Sequence, residues 1–100
     1  MATNTTLTKL DLEGNKIGDA GAAVIGQGLA TNTALKEFGL YKNDIGDAGA
    51  AAIGQGLATN TALKRLVLNS NSISYEAQSK LRGAASNVDD LTLYYDSDSD

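Results

Sequence analysis

The side chains of this chain that carry charge at neutral pH are twelve carboxylates and eight lysines or arginines, for it has neither histidine nor cysteine. The commonest general base and the thiol nucleophile are therefore both missing. The adjacent carboxylates Asp89 and Asp90 come from a segment without any pocket-forming pattern. A GxxxxGK[ST] phosphate loop is absent, and Gly26-Gln27-Gly28 falls inside a helical pattern instead of between a strand and a helix. These residues suit recognition better than catalysis, so the chain is expected to be no enzyme and to need no cofactor or metal.

Several of the polar residues recur at fixed intervals. Lys9, Glu37, Arg65 and Asp90 form one row, spaced 28, 28 and 25 residues apart and alternating in sign. Asp11, Gly39, Val67 and Thr92 form a second, and Glu13, Tyr41, Asn69 and Tyr94 a third. Opposite charges on neighbouring strands stabilise a sheet weakly, by about 0.2–1 kcal/mol per pair, and the same ladder can be read by a partner. Exposed tyrosines are favoured binding anchors, and Tyr95 is placed to join Tyr94. Asn15, Asn43 and Asn71 also recur every 28 residues near the strand ends, where a buried polar group must find a partner.

The intervals point to a repeat. Residues 3–30 and 31–58 differ at only nine of 28 positions, and a third copy starts at Thr59 before diverging. Self-similarity at such a period marks a stacked array in place of one closed core. Each unit carries the pattern Leu7-x-x-Leu10-x-Leu12-x-x-Asn15-x-Ile17 or its equivalent, and apolar residues two apart predict a short strand. Copies separated by about 20 residues must run parallel with a crossover between them. The crossovers place Ala22, Ile25, Gly26 and Leu29, or Ala50, Ile53, Gly54 and Leu57, on one helical face. Interior glycines at Gly26, Gly28, Gly54 and Gly56 weaken these helices by about 1 kcal/mol each and so imply close packing. Asp19 and Asp47 fall in first turns, and Asn32 and Asn60 are expected to end the helices in the left-handed conformation. The third crossover, with Ser72, Ser74, Tyr75, Glu76, Gln78, Ser79, Lys80 and Arg82 outward and Ala77, Leu81 and Ala84 inward, reads as a polar terminal unit. A last strand is expected over residues 88–94, followed by an acidic, disordered tail at 96–100. Residues 1–95 thus form one domain.

This combination of LxxLxLxxNxI strands with GxxGAxxLxxxL helices resembles the leucine-rich repeats of the ribonuclease-inhibitor-like class. The resemblance implies an α/β solenoid, with parallel strands on the concave side, helices on the convex side, and the three asparagines as the structural ladder. Eight of the nine differences between the first two copies lie in residues 6–16, where alternation turns Lys9, Asp11 and Glu13 outward. The expected function is therefore protein binding through the concave sheet by Lys9, Asp11, Glu13, Glu37, Tyr41, Arg65, Val67, Asn69, Asp90, Thr92 and Tyr94. Four strands offer roughly a dozen such residues against the 20–30 of a standard interface. The alternative is a self-assembly unit or the end of a longer array, forming a homo-oligomer through the N-terminal edge Leu7 to Glu13. By resemblance to the leucine-rich domains of GTPase-activating proteins, a third reading is regulation of a small GTPase. A net charge of −4 argues against nucleic acid and anionic membrane, and the lack of a signal pattern or long apolar run makes a cytoplasmic location the expectation.

Overall fold

The computed structural model describes residues 8–93. Its elements alternate: β1 (Lys9–Asp11), α1 (Gly18–Thr31), β2 (Glu37–Gly39), α2 (Asp47–Thr59), β3 (Arg65–Val67), α3 (Tyr75–Ala84) and β4 (Asp90–Thr92). The strands form one parallel sheet in the order β1-β2-β3-β4, so each unit stacks on the one before it. This is the expected α/β repeat architecture. The expected opening residue Leu7, together with Tyr94, Tyr95 and the acidic tail, lies outside the described residues.

Period-two alternation sends Phe38, Leu40, Leu66 and Leu68 inward, each at most 1 % exposed. They meet the helical face that the 3.6-residue period sets: Ala22, Ile25, Gly26 and Leu29 in α1, and Ala50, Ile53, Gly54 and Leu57 in α2. Sheet and helices thus share a single hydrophobic core that runs the length of the stack. The interior glycines do what their cost implied at one place. A β-carbon on Gly26 would collide with the Ala52 carbonyl, and one on Gly56 with the Gly26 carbonyl, so α1 and α2 touch backbone to backbone. At Gly54 the approach is ordinary, 3.4 Å from that position to Leu81 Cδ1.

Two expectations are corrected. Asn32 and Asn60 do not end their helices left-handed; both are extended, with φ/ψ of −76°/130° and −81°/127°. Their side chains are buried, and each Oδ1 accepts from two backbone amides just ahead, those of Ala34 and Leu35 or Ala62 and Leu63. The side chain, in place of a left-handed backbone, turns the chain from helix to strand. Gln78 is likewise not on the polar outer face. It is 5 % exposed, and its Nε2 donates to the Ile73 carbonyl at 3.1 Å, which satisfies a polar group inside the terminal unit.

Candidate protein-binding surface

The first row of charges is brought together residue by residue. Lys9, Glu37, Arg65 and Asp90 are partners in the sheet register, on the face opposite the helices. Lys9 Nζ lies 3.7 Å from Glu37 Oε2, Arg65 Nη1 lies 3.9 Å from Glu37 Oε1, and Arg65 Nε lies 3.4 Å from Asp90 Oδ2. Their side chains remain 40–71 % exposed, so the pairs stabilise little in water and remain open to a partner's charges.

The second row pairs Asp11 with Gly39, Gly39 with Val67, and Val67 with Thr92. Because Gly39 has no side chain, the sheet surface dips there into a hollow of about 150 Å³, edged by Lys9, Asp11, Glu37, Arg65 and Val67. Asp11 leans over it: its Oδ1 would stand 2.9 Å from a β-carbon at Gly39, and it also accepts from the Glu13 amide at 3.0 Å. The result is a small depression with a charged rim and one apolar wall.

The third row continues beyond the strands. The Gly14 amide donates to the Tyr41 carbonyl and the Lys42 amide to the Asn69 carbonyl, which keeps the turns in step. Tyr41 and Asn69 are half-buried and Glu13 is exposed. Asn69 Oδ1 is enclosed without a hydrogen-bond partner among the described residues. Gly14, Lys42 and Ser70 hold the same place in successive units, all with positive φ, from 58° to 71°. Only the first of them is the glycine that such a turn favours.

Behind this surface the asparagine ladder fixes the turns. Asn43 Oδ1 accepts from the Asn15 amide at 2.7 Å, and Asn71 Oδ1 accepts from the Asn43 and Ile45 amides at 2.8 and 3.0 Å. Asn43 Nδ2 donates to the Leu12 carbonyl and Asn71 Nδ2 to the Leu40 carbonyl, both at 2.9 Å. Asn43 and Asn71 therefore each tie their own turn to the preceding unit, while Asn15 Nδ2 donates within its own turn, to the Leu12 and Glu13 carbonyls.

Two further ladders were not foreseen from the sequence. Asn60 Nδ2 donates back to the Leu29 and Asn32 carbonyls, and Asn87 Nδ2 to the Asn60 carbonyl. On the helix side, Asp19 Oδ1 accepts from the Gly46 and Gly49 amides, and Asp47 accepts from the Ser74 amide and hydroxyl, both at 2.7 Å. These aspartates occupy the first turn of one helix while capping the start of the next. Those bonds, the Ser74 amide first, hold the Asp47 carboxyl below the usual carboxylate range. The signal was present as the 28-residue recurrence of Asp and Asn, but its partners lie one unit away.

Residues 3–26 and 31–54 match the family described as Leucine Rich repeat. A solved structure titled Leiomodin-1 Actin-Binding Site 2 superposes with a TM-score of 0.83 over 95 % of this chain, at 19 % identity. The match takes in 58 % of that structure's chain. No curated protein sequence matches. Together these findings give residues 3–26 and 31–54 a likeness to leucine-rich repeats and the chain an α/β solenoid fold like that of the solved structure. Among the described residues no group of three or more potential metal ligands occurs, and no helix is long and apolar enough to cross a membrane.

Proposed function

We propose that the chain is a non-catalytic protein-interaction module of the ribonuclease-inhibitor-like class, binding a partner protein through the sheet face opposite its helices. The observation that supports this most is the Gly39 hollow edged by Lys9, Glu37 and Arg65 of the alternating row and by Asp11. A side chain from a partner can seat in the hollow while charges of either sign find a complement on its rim. Such arrangements give orientation and specificity more than raw affinity. Tyr41 flanks the hollow one step along the surface and supplies the aromatic contact that interfaces favour. The same strand segment holds eight of the nine differences between the first two units, while the helices are nearly unchanged. A scaffold kept constant beneath a varied face is what recognition requires.

The test compares the intact protein with Gly39→Leu, which fills the hollow, and with Glu37→Gln. Both changes leave the core untouched, and Glu37→Gln should shift the urea midpoint by no more than the ~1 kcal/mol of exposed ion pairs. Proteins cross-linked to wild type and identified by mass spectrometry should be lost with both variants, and co-sedimentation with actin filaments is a defined first arm. Retention of the same partners by the folded Gly39→Leu variant would overturn the assignment of this face.

A further inference from the structure

The ion pairs of the sheet face leave one carboxylate over. All eight lysines and arginines of the chain fall within the described residues, and among those residues only Lys9 and Arg65 form ion pairs. Glu37 holds both of them, and Asp90 holds Arg65 a second time. Asp11, the next outward residue of β1, has no cation, and neither has Glu13 beyond it. The turn lysines Lys16 and Lys42 pair with neither. On this face Lys9 and Arg65 thus stand against four carboxylates, those of Asp11, Glu13, Glu37 and Asp90, and the surplus negative charge gathers on the β1 side of the Gly39 hollow.

The position of Asp11 is fixed, and it faces that hollow. Its Oδ1 accepts from the Glu13 amide at 3.0 Å and lies 2.9 Å from where a β-carbon on Gly39 would stand. Its Oδ2 makes no hydrogen bond among the described residues. In the same row Asp11, Val67 and Thr92 each carry a side chain, so Gly39 alone opens the space of about 150 Å³, room for one entering side chain. Val67 forms the apolar wall and Asp11 the charged one.

These walls select what can enter. A carboxylate would meet Asp11 within the same small space, and a wholly apolar side chain would cover Oδ2 without giving it a partner, which is unfavourable for a charged group. An alkyl stem that ends in a cation suits both walls, and lysine and arginine are built that way.

We propose that the Gly39 hollow is a subsite for a lysine or arginine side chain of the partner, with its stem along Val67 and its cation on Asp11. This rests on the reading of the sheet face as the binding surface. It divides the work of the face: Lys9, Glu37 and Arg65 satisfy one another and form the rim, while Asp11 chooses the sign of the charge that enters.

The test selects random dodecapeptides displayed on phage against the intact protein and discards those that still bind folded Gly39→Leu, whose side chain fills the hollow. The peptides that remain should share a lysine or arginine at one position. As synthetic peptides they should bind Asp11→Asn about fivefold more weakly than wild type, and Asp11→Lys at least about tenfold more weakly. Norleucine in place of the shared basic residue keeps a stem without the charge; it should cost about fivefold against wild type and almost nothing further against Asp11→Asn. Asp11→Asn keeps an oxygen for the Glu13 amide, so its urea midpoint should match wild type and the loss reports the charge. Hollow-dependent peptides with no shared basic residue, or with undiminished affinity for Asp11→Lys, would overturn this inference and leave the sheet face as the binding surface. If no peptide distinguished Gly39→Leu from wild type, the face itself would fall as a binding surface, and the subsite with it.

Discussion

Replacing Asn71 by alanine should destabilise the protein more than replacing Asn43, although Asn43 is fully buried and Asn71 only partly so. The reason is the number of backbone groups each serves alone. Without Asn71 the Asn43 and Ile45 amides lose their acceptor, and the Leu40 carbonyl loses its Nδ2 donor. Without Asn43 only the Asn15 amide, in an exposed residue, loses its acceptor, while the Leu12 carbonyl keeps Asn15 Nδ2 at 2.8 Å. A buried polar group left unmet costs about 1–3 kcal/mol, and partial hydration of the turns reduces that. Asn71→Ala should therefore cost about 3–5 kcal/mol, Asn43→Ala about 1–2 and Asn15→Ala under about 1. At about 4–8 °C per kcal/mol for a domain of this size, Asn71→Ala should lower Tm by at least ~12 °C. Urea unfolding followed by circular dichroism at 222 nm, with a common m-value, measures the three differences. If Asn43→Ala proved as costly as Asn71→Ala, burial and not the division of hydrogen bonds would govern the ladder.

Gly56→Ala should destabilise by about 1–3 kcal/mol or more, because its methyl group would meet the Gly26 carbonyl and force α1 from α2. Gly83→Ala, at an α3 position with nothing within 4 Å, should instead stabilise by about 0.5–1 kcal/mol through helix propensity, and thermal unfolding of the two variants should give Tm shifts of opposite sign. The bonds from Ser74 depress the Asp47 carboxyl in the folded state, so the stability it adds is present above its unfolded pKa and is lost as pH falls through the depressed folded value. Asp47→Asn should flatten the dependence of stability on pH in that acidic window, seen in urea midpoints across a pH series; an unchanged slope would show that the Ser74 contacts are not formed in solution.

The repeat and its period, the parallel order of the strands, the helical face Ala22-Ile25-Gly26-Leu29 and the row Lys9-Glu37-Arg65-Asp90 were all legible in the sequence. Each depends on local periodicity, which a chain displays along its own length: two residues in a strand, 3.6 in a helix, 28 from unit to unit. The role of the Asn15, Asn43 and Asn71 ladder could be read only through the resemblance to leucine-rich repeats. What only the tertiary structure decided concerns partners that are distant in the chain. Asp19 looked like a charge at its own helix start, and stacking made it the cap of the next helix, 27 and 30 residues away. Asn32 and Asn60 had the right type and place for left-handed helix ends, but the buried amides ahead of them took their side chains and left the backbone extended. Gln78 looked solvated until the Ile73 carbonyl, enclosed by the terminal unit, required a donor. The hollow at Gly39 exists only because Asp11 and Val67 flank it from neighbouring strands. Periodicity determines which face a residue takes, but the partner it meets there depends on how the units stack.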